Sequence, residues 1–307
     1  IFGPWADLME KPELQVERWR ERDIEARVIE ALVAAQPRSR ADVARTYGTL
    51  LRDIWAGELK IQSRLQDVED QLTALAANTV NLADVVGGGI GHQTDTRGQG
   101  IDPVTGEITT RTTGFVEIPQ HDTLILVPGS AAVDGVFIPK SGSTVISSTG
   151  LKISDLPKTG GQTWDYFRYG PSGGATVNTI DAVDYNKAPN WLLALHANKG
   201  ITFDLEVLRT TFGFQEAAFQ TVFGHGGAKD QSTVDFFIYL DGKRVHQQQG
   251  FAAQQKGVAI DLPLPASTRF LTLIVTEGGQ GLSHDQAILG NPRIVIAQRA
   301  AADKQHR

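Results

Sequence analysis

Serine, histidine and aspartate stand side by side at Ser283, His284 and Asp285 in "GLSHDQA". These are the side-chain types of a hydrolytic triad. Neighbours in an extended chain point to opposite sides, however, so the three cannot form a triad with one another. The seven histidines include no HExxH pair, and no Gly-x-Ser-x-Gly elbow occurs. "GGGIGHQ" (87–93) has the glycines of a phosphate loop without the Lys-Ser/Thr that completes one, and reads as a flexible bend. Nothing singles out a carboxylate pair for glycoside hydrolysis. The expectation is a protein that is not an enzyme.

Binding chemistry is better represented. "WDYFRYGPSGG" and "DYNKAPNW" bring Trp164, Tyr166, Tyr169, Tyr185 and Trp191 close in sequence, among amides and acids. Aromatic faces stack on sugar C–H faces while amides and carboxylates meet the hydroxyls. The competing reading is that these rings cap a sandwich core. "LALHANKGITFDL" (193–205) interrupts a strand pattern with His196, Asn198 and Lys199. Here a rim histidine paired by hydrogen bonds competes with a ligand contact. The candidate ligand-binding residues are Trp164, Tyr166, Tyr185, Trp191, His196, Asn198, His284 and Asp285. "DTRGQGIDPVTGE" places Asp95, Asp102 and Glu107 among glycines, and clustered oxygens suit a structural calcium ion (Ca2+). Asp84, Asp95 and Asp102 are the metal candidates. The alternative is a solvated loop turning at Asp102-Pro103.

These residues sit on two regions of different period. Before residue 80 the only glycines are Gly3, Gly48 and Gly57, and apolar spacing is helical. A first helix is expected from Pro12 to Gln36, with Leu14, Ile24, Val28, Ala31 and Leu32 as its stripe. A second, launched by Ser39 to Asp42, runs to about Asn78. Its heptad positions hold Ala44, Tyr47, Leu51, Ile54, Glu58, Ile61, Leu65, Val68, Leu72 and Leu75, apolar-compatible except at Glu58. At 1.5 Å per residue this helix would reach about 55–60 Å. That exceeds what the shorter helix can cover, so the rest of the seam must meet another chain or another domain, and self-association through 40–78 is expected; the competing reading is a bundle folded on itself.

After residue 80, glycine and threonine abound and alternation takes over. Val234, Phe236, Ile238 and Leu240 share one face, with a hairpin turn at Asp241-Gly242. Val258, Ile260 and Leu262 follow, then Leu271, Leu273 and Val275, then Ile294 and Ile296. The fold class is α+β by segregated regions: a helical hairpin or coiled coil (1–79), a β-sandwich (80–299) with a large loop-rich insertion (87–186), and a polar tail (300–307).

The chain of 307 residues carries a net charge of −6, which lacks the basic footprint of a nucleic-acid binder. No apolar run approaches the roughly 20 residues of a membrane span. Absence of cysteine removes disulfides and thiolate metal sites. The start at Ile1 reads as a processed product or a piece of a longer polypeptide.

"LLALHANKGITFDL", "STVDFFIYLDGKRV", "GVAIDLPL" and "FLTLIVTEGGQGLSHDQAILGNPRIV" resemble, in order, the NPCBM family of carbohydrate-binding modules. "VNLADVV", with Asp84, resembles its opening strand. The resemblance implies a galactose-binding-like jelly roll that binds glycan or a surface polysaccharide without catalysis. It also implies that His196 begins a strand, with a turn through Ala197, Asn198, Lys199 and Gly200 into "ITFDL". The chain departs from the family where Asp-His-Ala-x-Trp is replaced by Asp285-Gln286-Ala287-Ile288-Leu289. More loosely, "IFGPW", "RTYGTLL" and the heptad helix resemble segments of large planctomycete-type envelope proteins. That implies an extracytoplasmic setting, secreted or in the cell envelope. The alternative function is a structural subunit of such an assembly whose sandwich no longer binds sugar.

Overall fold

The computed structural model of the chain describes residues 79–91, 94, 96–111, 115–117, 123–139, 142–172, 177–227, 232–279 and 281–296. The chain divides between Asp70 and Gln71, and the described residues fall in the second unit. Both expected helices, the heptad seam proposed to self-associate, and the 300–307 tail lie outside the described residues.

Two antiparallel sheets build the sandwich. The first orders β17 (Val258–Leu264), β14 (Ala217–His225), β19 (Gln286–Ile296), β12 (Leu192–His196), β9 (Phe167–Tyr169), β2 (Gly100–Ile101) and β3 (Ile108–Thr109). β1 (Thr79–Asn81) pairs with the far end of β19, on the side that β12 occupies nearer the start. The second sheet orders β16 (Lys243–Ala252), β15 (Thr233–Leu240), β18 (Phe270–Glu277), β13 (Lys199–Asp204) and β5 (Val133–Phe137).

Period-2 alternation decides which side chains meet between the sheets. Leu193, Leu195, Phe219, Phe223, Ala287 and Leu289 come from the first sheet; Ile201, Phe203, Phe236, Ile238, Leu271, Leu273 and Val275 come from the second. The Phe223 ring stacks on Phe236 with centroids 4.8 Å apart and meets Phe251 at the same distance. The Asp241-Gly242 hairpin forms as its residues require, since both take left-handed φ (48° and 78°). Pro292 lies inside β19, where a bulge opposite Gln220 and Val222 accommodates a residue without an N–H.

Residues 87–186 extend both sheets through β2, β3, β5 and β9, and they cover both outer faces. The hairpin of β6 (Thr144–Val145) and β7 (Lys152–Ile153) sets Ile146 and Ile153 against Phe137, Phe237, Tyr239 and Ile274. The hairpin of β10 (Thr179–Ile180) and β11 (Val183–Asp184) sets Ile180, with Tyr185, on Leu192, Ala194 and Ile288. A third ribbon, β4 (Phe115–Glu117) with β8 (Gln162–Trp164), belongs to neither sheet.

Two local expectations need correction. "VNLADVV" is strand only as far as Asn81, whose side chain accepts from the Ala83 and Asp84 amides and caps helix α1 (Leu82–Val86). His196 ends β12 rather than beginning a strand, and Lys199 already belongs to β13. One further helix, α2 (Leu205–Phe212), is capped by Asp204 and closed by left-handed Gly213. Among the described residues no helix is long and apolar enough to cross a membrane.

Candidate glycan-binding site

The link from β12 to β13 is two residues, Ala197 and Asn198, and it organises one end of the sandwich. The Ala197 amide donates to the Asp285 carbonyl at 2.8 Å, just before β19. The Ala197 carbonyl accepts from Thr163 Oγ1 of β8 at 2.7 Å and from His196 Nδ1 at 2.9 Å. A carbonyl can only accept, so the His196 proton sits on Nδ1. Burial, with Lys199 as the second cause, pushes the imidazole down to about 4, which leaves His196 neutral at physiological pH.

Asp285 is the anomaly of this end. It is 1% exposed, and neither carboxylate oxygen has a hydrogen-bond partner among the described residues. Burial first, then Glu277 and Asp235, raise its carboxyl to about 7. A buried polar atom without a partner costs about 1–3 kcal/mol, more when charged, so it calls for an explanation. Its neighbours are occupied. Glu277 accepts from the Gly160 amide (2.8 Å) and from Asn198 Nδ2 (3.1 Å). Asp235 accepts from the Gly250 amide (2.7 Å). His284, half-buried, takes left-handed φ (67°), which turns the chain into β19.

Trp164 stands at the same end. It is 42% exposed on β8, which the Thr163–Ala197 bond joins to the turn that also holds Asp285. Tyr166 is buried: its ring lies under Arg168 (5.3 Å), and Asp102 hydrogen-bonds its hydroxyl. Arg168 in turn donates to the carbonyls of Gly98, Thr110 and Arg111.

The other sequence candidates are dispersed. Trp191 precedes β12, so it lies about 16 Å along the strand from His196. It is half-buried against the main core, and its backbone amide donates to Asn291 Oδ1. Tyr185 is buried on the outer face of the first sheet, over Gly290, where any Cβ would strike its ring. Asp84 receives the Gly91 amide and the hydroxyls of Thr94 and Thr96. Asp102 receives the amides of Val104 and Thr105 in its own turn. Both carboxylates thus have donors already, and Asp95 lies outside the described residues. Among the described residues no cluster of three or more His, Asp or Glu is placed to hold a metal ion. The sequence reading did not single out Glu277, Asp235 or Thr163, which come from separate elements and share no spacing signature.

Residues 192–295 match the NPCBM/NEW2 domain. The match runs from β12 through most of β19. The NPCBM/NEW2 segment therefore includes His196, Asn198, Glu277, His284 and Asp285, whereas Trp164 comes from outside it. Leu289, three residues beyond Gln286 on β19, points into the main core.

Solved structures similar to the chain include CBM51 of GH95 from Clostridium perfringens, in complex with methyl-galactose: 21% identity over 40% of this chain and 81% of that one, TM-score 0.33. CBM51 domains beside the M60 catalytic domain of ZmpB from the same organism are 26% identical over 43% of this chain, TM-score 0.36. Tandem CBM51 modules of a family 98 glycoside hydrolase from Streptococcus pneumoniae are 18% identical over 41%, TM-score 0.33. This chain spans 13% and 37% of the latter two. No curated protein matches the chain.

Proposed function

We propose that the sandwich is a non-catalytic glycan-binding module whose ligand docks beside the β12–β13 turn. Trp164 supplies the stacking face, and His196, His284 and Asp285 supply hydrogen-bonding atoms. The observation that carries this reading is the orphan Asp285 carboxyl, buried at the end that also presents an exposed tryptophan. The NPCBM/NEW2 match supports it independently, because that family is one of carbohydrate-binding modules.

The test is a panel of glycans and polysaccharides with the purified chain, in calcium and in chelator. Binding is expected, and Trp164→Ala should weaken it roughly thirtyfold, as removal of an aromatic anchor costs about 2 kcal/mol. Its melting temperature should stay within a few degrees. Equal affinity in Trp164→Ala would move the site elsewhere. A folded protein that binds no member of the panel would favour the structural-subunit reading, which replacement of the family's terminal histidine and aromatic supports.

The reading extends to an extracytoplasmic setting and to self-association through 40–78, both resting on sequence alone. The Ile61→Asp, Leu65→Asp double variant should reduce an oligomer to a monomer by light scattering. An unchanged mass would remove that part of the proposal. Linked sites gain effective concentration, so an oligomer would bind a repetitive polymer more tightly than one module does.

A further inference from the structure

We infer that Asn198 and Lys199 are positioning residues: they clamp the β4–β8 ribbon to the sandwich and so set where Trp164 stands. The inference deepens the proposed function and rests on its assignment of Trp164 to the binding face.

The ribbon pairs with neither sheet, and only Asp165 and Tyr166 separate β8 from β9. Asn198, fully buried, reaches in two directions. Its Oδ1 accepts from the Glu277 amide of β18 at 2.9 Å, and its Nδ2 donates to the Gln162 carbonyl of β8 at 3.0 Å. Lys199, also fully buried, donates from Nζ to the carbonyls of Trp164 (2.6 Å) and Tyr166 (3.1 Å), with the Phe167 ring 5.6 Å away. Glu277 adds a bond to the Gly160 amide just before the ribbon. The residues that looked like an interruption of a strand are therefore the fastening of a separate element. A long cationic side chain committed to two main-chain carbonyls is an expensive way to fill space, since burial of the ammonium is penalised. Its geometry is explained by the residue it fixes.

The clamp has a pH signature. The charged and titratable groups facing Lys199 are Asp165, Arg168 and His196. His196 is neutral well below pH 7, and burial lowers Lys199 to about 7. Lifting the ribbon removes the Trp164 carbonyl and opens Nζ to water, where a lysine titrates near 10.4. The closed state therefore binds fewer protons between about pH 7 and 10, and closure strengthens as pH rises through that window.

Amide hydrogen exchange on the full chain tests both residues without any ligand. In Asn198→Ala, protection of the 162–164 amides should fall at least tenfold while β14, β18 and β19 keep theirs. In the parent, protection of the same amides should rise several-fold from pH 7 to pH 9, after correction for intrinsic rates. Lys199→Met should abolish that rise. Parent-like protection in Asn198→Ala, or an equal loss across the whole sandwich, would overturn the role of Asn198. A pH-independent parent, or a rise that survives Lys199→Met, would overturn that of Lys199. A negative glycan panel would remove the proposed function and leave these exchange results untouched.

Discussion

Alanine at Phe236 should destabilise the domain by about 3–5 kcal/mol, the range for deleting a buried aromatic ring. Phe236 is fully buried, and its ring stacks at 12° on Phe223, which also meets Phe251. Removal forfeits its own burial and the ring–ring term of about 0.5–1.5 kcal/mol, and it leaves a cavity between two sheets that cannot collapse onto each other. Urea unfolding should show a lower midpoint with an unchanged slope. A cost below about 1 kcal/mol would mean that the sheets are not held by this stack.

The second large effect has the opposite sign. Asp285→Asn should stabilise the protein at pH 8 by roughly 2–4 kcal/mol and change little at pH 4. The folded-state value of Asp285 is raised to about 7, against roughly 3.9 in an unfolded chain. The native state therefore binds more protons than the unfolded state between about pH 4 and 7, and this contribution to stability is lost as pH rises through that window. His196 and His225, both lowered to about 4 by burial, work the other way between about pH 4 and 6.5. They are common to both proteins, so the difference in melting temperature between parent and variant isolates Asp285. A flat difference would show that the carboxyl is satisfied. If the variant gains stability and loses glycan affinity together, the orphan carboxyl is retained for binding at the expense of stability.

The sequence exposed the sandwich better than the site. Period 2 is cleanest in β17, where Ile260 and Leu264 alternate with exposed residues. By contrast, β15 and β18 are buried on both faces, since Phe237, Tyr239 and Ile274 lie under the β6–β7 hairpin, and they read as strands from their β-branched and aromatic runs. Aromatic content misleads in the other direction: Tyr185 and Trp164 look alike in sequence, yet one seals a sheet face and the other meets solvent. What separates them is a glycine far along the chain, Gly290, that makes room for the Tyr185 ring. Lys199 reads as a turn residue, since its partners are main-chain carbonyls and carbonyls leave no trace in residue type. Glu277 and Asp285 come together only once β18 and β19 enter facing sheets.

The pairing of β1 with β19 sets Thr79 opposite Val295, at the end of β19 away from Gln286 and the β12–β13 turn. Directly opposed residues in an antiparallel pair lie about 5 Å apart. The first and last strands of the sandwich are thus neighbours, at the pole remote from Trp164 and Asp285. A sandwich wired in this way can be spliced into a surface loop of an unrelated host as a bead on a closed thread, with neither partner's chain stretched and the Trp164 end turned outward.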